Sequence, residues 1–223
     1  MPPAGERALY SRSMAAATRV TELLSLSEGG LTEPWSGRAP EIAGYQLEGL
    51  LAQGGQAEVY GATRLSDGRG VVVKVLRARA DVPSYAVATC RRGVELLASL
   101  KHPNVAALLD HGEQPGAHWF VMERCDGGSL AERCEARGAL SDAEAESVME
   151  GVLAGLAYTH ARGVVHRDVK PGNVLFADGG ARAVLGDFGI AKRFEQAGLS
   201  GVSTAQTVVG TAAWMPREQR EGS

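Results

Sequence analysis

Cysteine is scarce in this 223-residue chain: Cys90, Cys125 and Cys134 are the only three, and none forms a C-x-x-C pair. An odd count without paired spacing argues against a disulfide framework, and the three read as free thiols in a reducing cytoplasm. Long apolar runs are missing too. Stretches such as Val71-Val72-Val73 fall far short of the ~20 residues a membrane-spanning helix needs. The N-terminus lacks a compact apolar block followed by a small-residue cleavage site, so no signal peptide is expected. Neither sign of charge dominates. The net charge is −3, with no basic stripe to attract nucleic acid and no acidic tail. His102, His111, His118 and His160 show no metal-ligand spacing, and no segment repeats.

Hydrophobic residues at 44% and charged residues at 22% are ordinary for a globular protein, so the chain can bury a core. Its length suits one good-sized domain or a small two-lobed one. Abundant alanine, glycine and arginine suggest a GC-rich bacterial gene. Residues 1–41, with Pro2-Pro3, Gly29-Gly30 and the stretch from Pro34 to Pro40, read as a flexible extension. Within it, Val20, Leu23, Leu24 and Leu26 fit at most one short amphipathic helix.

The pattern changes at Tyr45. Tyr45 to Leu51 and Ala57 to Arg64 predict two strands joined at Gly54-Gly55, and Gly70 to Leu76 predicts a third that carries Lys74. Val87, Val94, Leu97 and Leu100 stand at helical spacing. Two short strands are expected over Val105 to Asp110 and His118 to Met122. Beyond Gly127-Gly128 the chain turns helical. Ser141 and Glu144 form a capping box, and Val148, Val152 and Leu156 repeat at four-residue spacing. Strands followed by helices predict an α+β chain, with a sheet-rich part at residues 42–124 and a helical part at 125–223.

The densest motif is His166-Arg167-Asp168-Val169-Lys170-Pro171-Gly172-Asn173, followed 14 residues later by Asp187-Phe188-Gly189, with Lys74 upstream. A lone D-F-G or a lone strand lysine is weak evidence, but their shared order and spacing make coincidence improbable. Over residues 42–219 the chain resembles the protein kinase family. The resemblance implies a bilobal fold with an antiparallel small-lobe sheet, and ATP with Mg²⁺ as cofactors. The H-R-D-x-K-P form resembles Ser/Thr kinases and implies a Ser/Thr-containing protein substrate.

The implied roles follow from phosphoryl transfer, which needs positioning and charge neutralisation more than covalent chemistry. Asp168 orients or accepts the proton of the substrate hydroxyl, Lys170 reaches the γ-phosphate and Lys74 holds the α- and β-phosphates. Asn173 and Asp187 supply hard oxygen ligands for Mg²⁺. Ala52, Gly54 and Gly55 lie in the phosphate-covering turn. Val59, Val72 and Leu175 sandwich the adenine, Met122 is the gatekeeper, and backbone groups of Glu123 and Cys125 meet the base edge. Taken singly, each of these apolar residues is an ordinary core residue, and only the shared register raises them. Arg167 is implied to pair with a phosphorylated activation loop, whose candidate sites are Ser203, Thr204 and Thr207; all three are equally read as plain polar loop residues.

The sequence departs from the family at four places. The glycine-rich pattern G-x-G-x-x-G keeps only Gly54, with Ala52 and Ala57 at the outer positions. Gly93 stands where the family places the glutamate that pairs with Lys74. Glu95 lies two residues on, about 200° around a helix, so it replaces that glutamate only if the helix shifts register. Pro216-Arg217-Glu218 stands where A-P-E is expected, and the chain ends at Ser223, so an incomplete large lobe is expected. The apolar faces of the Val148 to Leu156 helix and of the catalytic loop would then lie bare. Two readings stay open: a Ser/Thr protein kinase, or a catalytically impaired member or fragment that binds nucleotide or a partner.

Overall fold

The computed structural model describes residues 40–53, 57–77, 84–114, 117–188 and Trp214. Five strands form one antiparallel sheet: β1 (Tyr45–Gln53), β2 (Ala57–Arg64), β3 (Gly70–Arg77), β4 (Leu108–Gln114) and β5 (Ala117–Glu123), in the order β1-β2-β3-β5-β4. A helix, α1 (Ser84–Ala98), is inserted between β3 and β4. Helices α2 (Leu130–Arg137) and α3 (Asp142–His160) follow, and then a two-stranded pair, β6 (Val174–Ala177) and β7 (Arg182–Leu185).

Strand β3 is central because its sequence is a β-branched run suited to burial on both faces. Val71, Val73 and Val75 are buried on one face among Ile42, Tyr60, Ala62 and Val121. Burying each contributes roughly 1.5–2 kcal/mol. Leu76 on the other face joins Cys90, Val94 and Leu97 of α1 and Phe120 of β5 in a second core. That core continues through Val105, Val148, Val152, Val174, Leu185 and Phe188, so it joins the sheet to the helical half. Tyr45, at the start of β1, covers the first face, donating its hydroxyl to Asp110 Oδ2 at 3.0 Å and tilting its ring against Trp119.

The capping box at Ser141 and Glu144 is present at the start of α3, and a second, at Ser129 and Glu132, starts α2. One expected strand moves. Residues 105–110 were expected to pair as a unit, but β4 begins at Leu108, and Val105 bridges Leu185 of β7 in parallel. Segment 104–106 thus serves as an added strand: Leu185 N–H donates to Asn104 O and Ala106 N–H to Leu185 O, each at 2.9 Å. On the other edge, Gly127 N–H donates to Phe176 O and Phe176 N–H to Gly128 O. The β6–β7 pair is therefore flanked by chain from both halves and forms a firm base for the loops at its ends.

The apolar faces expected to lie bare do so in part, and at the catalytic loop Val165 and Val169 are exposed. Val148 and Val152 are buried against β7, while Met149 and Leu153, one position on, are 50% and 58% exposed. Residues 1–39 and the whole stretch after Phe188 except Trp214 lie outside the described residues, and with them Gly189, Ser203, Thr204, Thr207 and Glu218.

Candidate active site

Two clusters of polar side chains meet where the sheet faces the β6–β7 pair. The first stands on β3. Lys74 lies opposite Val59 of β2 and Phe120 of β5, and Val72 opposite Met122, so Val59, Val72, Lys74 and Met122 share one sheet face. Ala52 pairs with Val59 and joins that face. Gly54 and Gly55 lie outside the described residues. Lys74 is buried, and a buried ammonium is costly unless paired. Its Nζ donates to Asp187 Oδ1 at 2.6 Å.

That partner settles the question raised by Gly93. Glu95 does not take the place of the missing glutamate. Its side chain is 57% exposed and pairs with Arg91 one turn back on α1, at 3.6 Å. Lys74 is instead neutralised by Asp187. Burial pushes the Asp187 carboxyl up, but the charge and hydrogen bond of Lys74 hold it below its ordinary value. The side chain keeps 43% of its surface open to solvent, which limits the cost of its charge.

The second cluster is the loop from His166 to Asn173. Asn173 Nδ2 donates to Asp168 O at 2.7 Å and to Asp168 Oδ2 at 2.9 Å. Lys170 Nζ lies 3.0 Å from the same Oδ2. The Asp168 carboxylate is thereby fixed by two neighbours from its own loop. Pro171 starts a 3₁₀ turn over Pro171–Asn173, where its missing N–H is no loss, and this turn brings Asn173 back under Asp168.

His166 joins the two clusters, a part the motif alone did not disclose. Its buried Nε2 donates to Gly186 O at 2.8 Å, which leaves Nδ1 to accept the Asp168 N–H at 3.3 Å. Those bonds fix a neutral tautomer. Burial pushes the imidazole below its ordinary pKa, against the opposing pull of the Gly186 carbonyl and the nearby Asp187 and Asp168 charges. Phe188 packs against the ring at a 47° tilt, with centroids 4.5 Å apart. Arg167 and Asp187, beside the two clusters, hold φ of 66° and 52°. Left-handed backbone at a residue other than glycine costs on the order of 1–3 kcal/mol and persists where surrounding bonds overdetermine it.

The residues expected at the base edge follow β5. Glu123 N–H donates to Ala107 O at 2.9 Å. Cys125 is half-buried; burial, reinforced by the Glu123 charge, pushes its thiol up to about 11. Leu175 pairs with Val184 on the β6–β7 pair and closes against Gly186, where an added Cβ would meet its Cδ1 at 2.7 Å. Sequence reasoning missed Arg182, which touches Glu123 from β7, and Glu58, a buried carboxylate that accepts from Tyr60 Oη at 2.7 Å and Gln53 Nε2 at 3.1 Å. No spacing rule marks Arg182, whose partner Glu123 lies on another strand, and Glu58 is held both by Tyr60 on its own strand and by Gln53 on β1.

Oxygen donors suited to the Mg²⁺ implied by the resemblance are present at Asn173 and Asp187. Asn173 spends its amide nitrogen on Asp168 and keeps its amide oxygen, and Asp187 keeps one carboxylate oxygen beyond the Lys74 bond. Two hard oxygen donors suit an ion that completes its octahedron with phosphates and water. Among the described residues, no group of three or more His, Cys, Asp or Glu side chains forms an all-protein metal cage. No helix among them is long and apolar enough to cross a membrane.

Residues 45–221 match the family model for the protein kinase domain. Similar proteins include the probable serine/threonine-protein kinase PknB of Bifidobacterium longum, 36% identical over 187 residues, covering 80% of this chain and 27% of the relative. The probable serine/threonine-protein kinase SCO3848 of Streptomyces coelicolor is 39% identical over 183 residues, again covering 80% of this chain and 27% of the relative. Serine/threonine-protein kinase PrkC of Bacillus subtilis is 33% identical over 178 residues, with the same coverage. The chain thus spans about a quarter of the length of these curated relatives. Among solved structures, Rad53 residues 1–466 in complex with AMP-PNP matches with a TM-score of 0.60 and 28% identity, covering 66% of this chain and 38% of that one. Fold, motif geometry and relatives agree: the chain belongs to the protein kinase family.

Proposed function

We propose that this protein transfers the γ-phosphoryl group of ATP to serine or threonine hydroxyls of protein substrates, with Mg²⁺ as the metal, in the cytoplasm. The observation that carries this reading is the Asp168 carboxylate, oriented by both Lys170 and Asn173 next to the Lys74–Asp187 pair. In the transfer, the substrate oxygen forms a bond to the γ-phosphorus while the bond to the bridging oxygen of ADP breaks. Asp168 takes the hydroxyl proton. Lys170 offsets charge on the γ-phosphate, and Lys74 meets the α- and β-phosphates. Asn173 and Asp187 would hold Mg²⁺, which supplies further charge neutralisation between the phosphates when bound. Val59, Val72 and Leu175 enclose the base, Met122 sits behind it, Ala52, Gly54 and Gly55 border the phosphates, and the backbone of Glu123 and Cys125 reads its edge. Arg167, with Ser203, Thr204 and Thr207, is assigned to control by phosphorylation. Residues 42–124 act as the small lobe and 125–223 as the portion of the large lobe that carries the catalytic loop and activation segment.

The test is transfer of labelled phosphate from Mg²⁺-ATP to a Ser/Thr-containing protein, with Asp168→Asn as control. Incorporation that disappears in the variant supports the reading. A folded chain that binds Mg²⁺-ATP without transferring phosphate refutes it. One observation favours a second reading, a nucleotide-binding member with impaired turnover. Among the described residues Lys74 rests on Asp187, with no glutamate from α1 to hold it.

A further inference from the structure

Arg182, at the first position of β7, bonds three acceptors at once. Its Nε donates to Asp178 Oδ2 at 2.7 Å, its Nη1 to Pro103 O, and its Nη2 to Glu123 Oε1 at 3.2 Å. The acceptors come from three places: the turn between β6 and β7, the segment after α1, and the last residue of β5. Glu123 is held further, since its Oε2 accepts from Ala107 N–H at 3.4 Å and its own N–H donates to Ala107 O. The next residue turns the other way. Arg124 Nη1 reaches Glu48 Oε2 on β1 at 3.3 Å, and Glu48 Oε1 accepts from Thr63 Oγ1 at 2.5 Å. Two successive residues of the link between the halves are therefore ion-paired in opposite directions, one to β7 and one to the sheet.

The two pairs are not equal. The Arg182 and Glu123 side chains are 26% and 16% exposed, against 35% and 30% for Arg124 and Glu48. The better-shielded pair loses less to solvent screening. A planar guanidinium suits it, because one fork carries donors along three directions, whereas an ammonium is a compact point charge.

We infer that Arg182 is a positioning residue for the base edge of the nucleotide site, holding the backbone of Glu123 to Cys125 at a fixed setting through the Glu123 carboxylate. This rests on the assignment of that backbone to adenine. A base edge already held in place binds without first ordering the chain, so losing the latch lowers affinity for the base. Glu48, through Arg124, holds the same link more weakly from the other side.

The experiment is calorimetric binding of adenosine and of Mg²⁺-ATP to the full chain and to Arg182→Ala, Arg182→Lys, Glu123→Gln and the Arg182→Ala/Glu123→Gln double variant, with urea midpoints measured in parallel. Arg182→Ala is expected to weaken adenosine about tenfold, and Mg²⁺-ATP by a similar factor, because the loss falls on the base. Arg182→Lys does not restore it. In the Glu123→Gln background the arginine change costs clearly less, because the charge that strengthens the shared bond is already gone. A folded Arg182→Ala chain that binds adenosine within about twofold of the original, or losses that multiply in the double variant, overturns the inference. A purely structural role lowers the urea midpoint and leaves the affinity of the folded chain unchanged, which also overturns it. If Arg182→Ala does not fold, Glu123→Gln, which keeps the Glu123 N–H bond to Ala107 O, decides by the same criterion. Failure of the unmodified chain to bind either ligand refutes the nucleotide site itself, and the latch with it. That outcome is distinct from normal binding that ignores Arg182.

Discussion

Lys74 Nζ and Asp187 Oδ1 meet at 2.6 Å across a sequence separation of 113 residues, and the position on α1 from which a glutamate would complete the group holds Gly93. Among the described residues, the anion that Lys74 meets is Asp187, the same carboxylate proposed to hold Mg²⁺.

Gly93→Glu is expected to raise phosphoryl transfer roughly tenfold, the equivalent of one charge-assisted hydrogen bond placed on Lys74. The same change adds about half a kcal/mol of helix propensity to α1. Steady-state kinetics on the full chain check it, and a variant that melts higher without faster transfer would show that Lys74 is not the limiting feature.

Asp187→Asn leaves a buried ammonium facing a neutral amide. Breaking a fully buried pair costs about 3–5 kcal/mol. With the carboxylate 43% exposed, screening reduces the expected loss to roughly 1–2 kcal/mol. Urea unfolding without ligand measures it. A melt with Mg²⁺-ATP should show an upward shift for the original chain and none for the variant.

The depressed pKa of His166 has a definite consequence for acid stability. The neutral ring is preferred in the folded chain, so its contribution is fully present above the unfolded histidine value, about pH 6.5, and is lost as pH falls through the lower folded value. His166→Asn should be less stable near neutrality, yet lose less on acidification from pH 7 to 5. Urea midpoints across that range test this, and parallel curves for the two proteins would contradict it.

Cys125 should be a slow nucleophile despite its place in the segment proposed to meet the base edge. With its thiol pushed up to about 11, little thiolate exists at pH 8. Alkylation by iodoacetamide, followed by peptide mass spectrometry, should run on the order of a hundredfold slower than for a free small thiol. A rate equal to the free thiol would place Cys125 in a different environment.

Gly155 lies inside α3, where glycine normally costs about 1 kcal/mol against alanine. Here an added Cβ would meet the backbone oxygen of Asn104 at 2.7 Å and Leu185 Cδ1 at 3.1 Å. Gly155→Ala should therefore destabilise, by about 1–3 kcal/mol, where helix propensity alone would stabilise. Thermal melts decide the sign.

Much of the site was legible in the sequence because its parts are local. His166 to Asn173 is one loop, and the spacing that brings Asn173 back to Asp168 is a single 3₁₀ turn opened by Pro171. Val59, Val72, Lys74 and Met122 share a face because strand alternation and antiparallel register require it once three strands are recognised. The misplacement of β4 has a different origin. Val105 has the character of a strand residue, but its partner is Leu185, some 80 residues on, and no local pattern says which of two sheets a strand-forming segment will join.

The sequence by itself determined the succession of strands and helix from Tyr45 to Met122, the capping box at Ser141, the catalytic loop and the loss of a glutamate at Gly93. Each of these depends on residues within one or two turns of one another. Tertiary structure alone decided that Lys74 rests on Asp187 while Glu95 faces solvent. It also decided that His166 ties the catalytic loop to Gly186, that Gly155 makes room for Asn104, and that Arg182 holds Glu123. Those pairings join chain segments brought together by the shared core, and charge and hydrogen-bond partners are chosen by distance in the folded chain rather than by spacing along it.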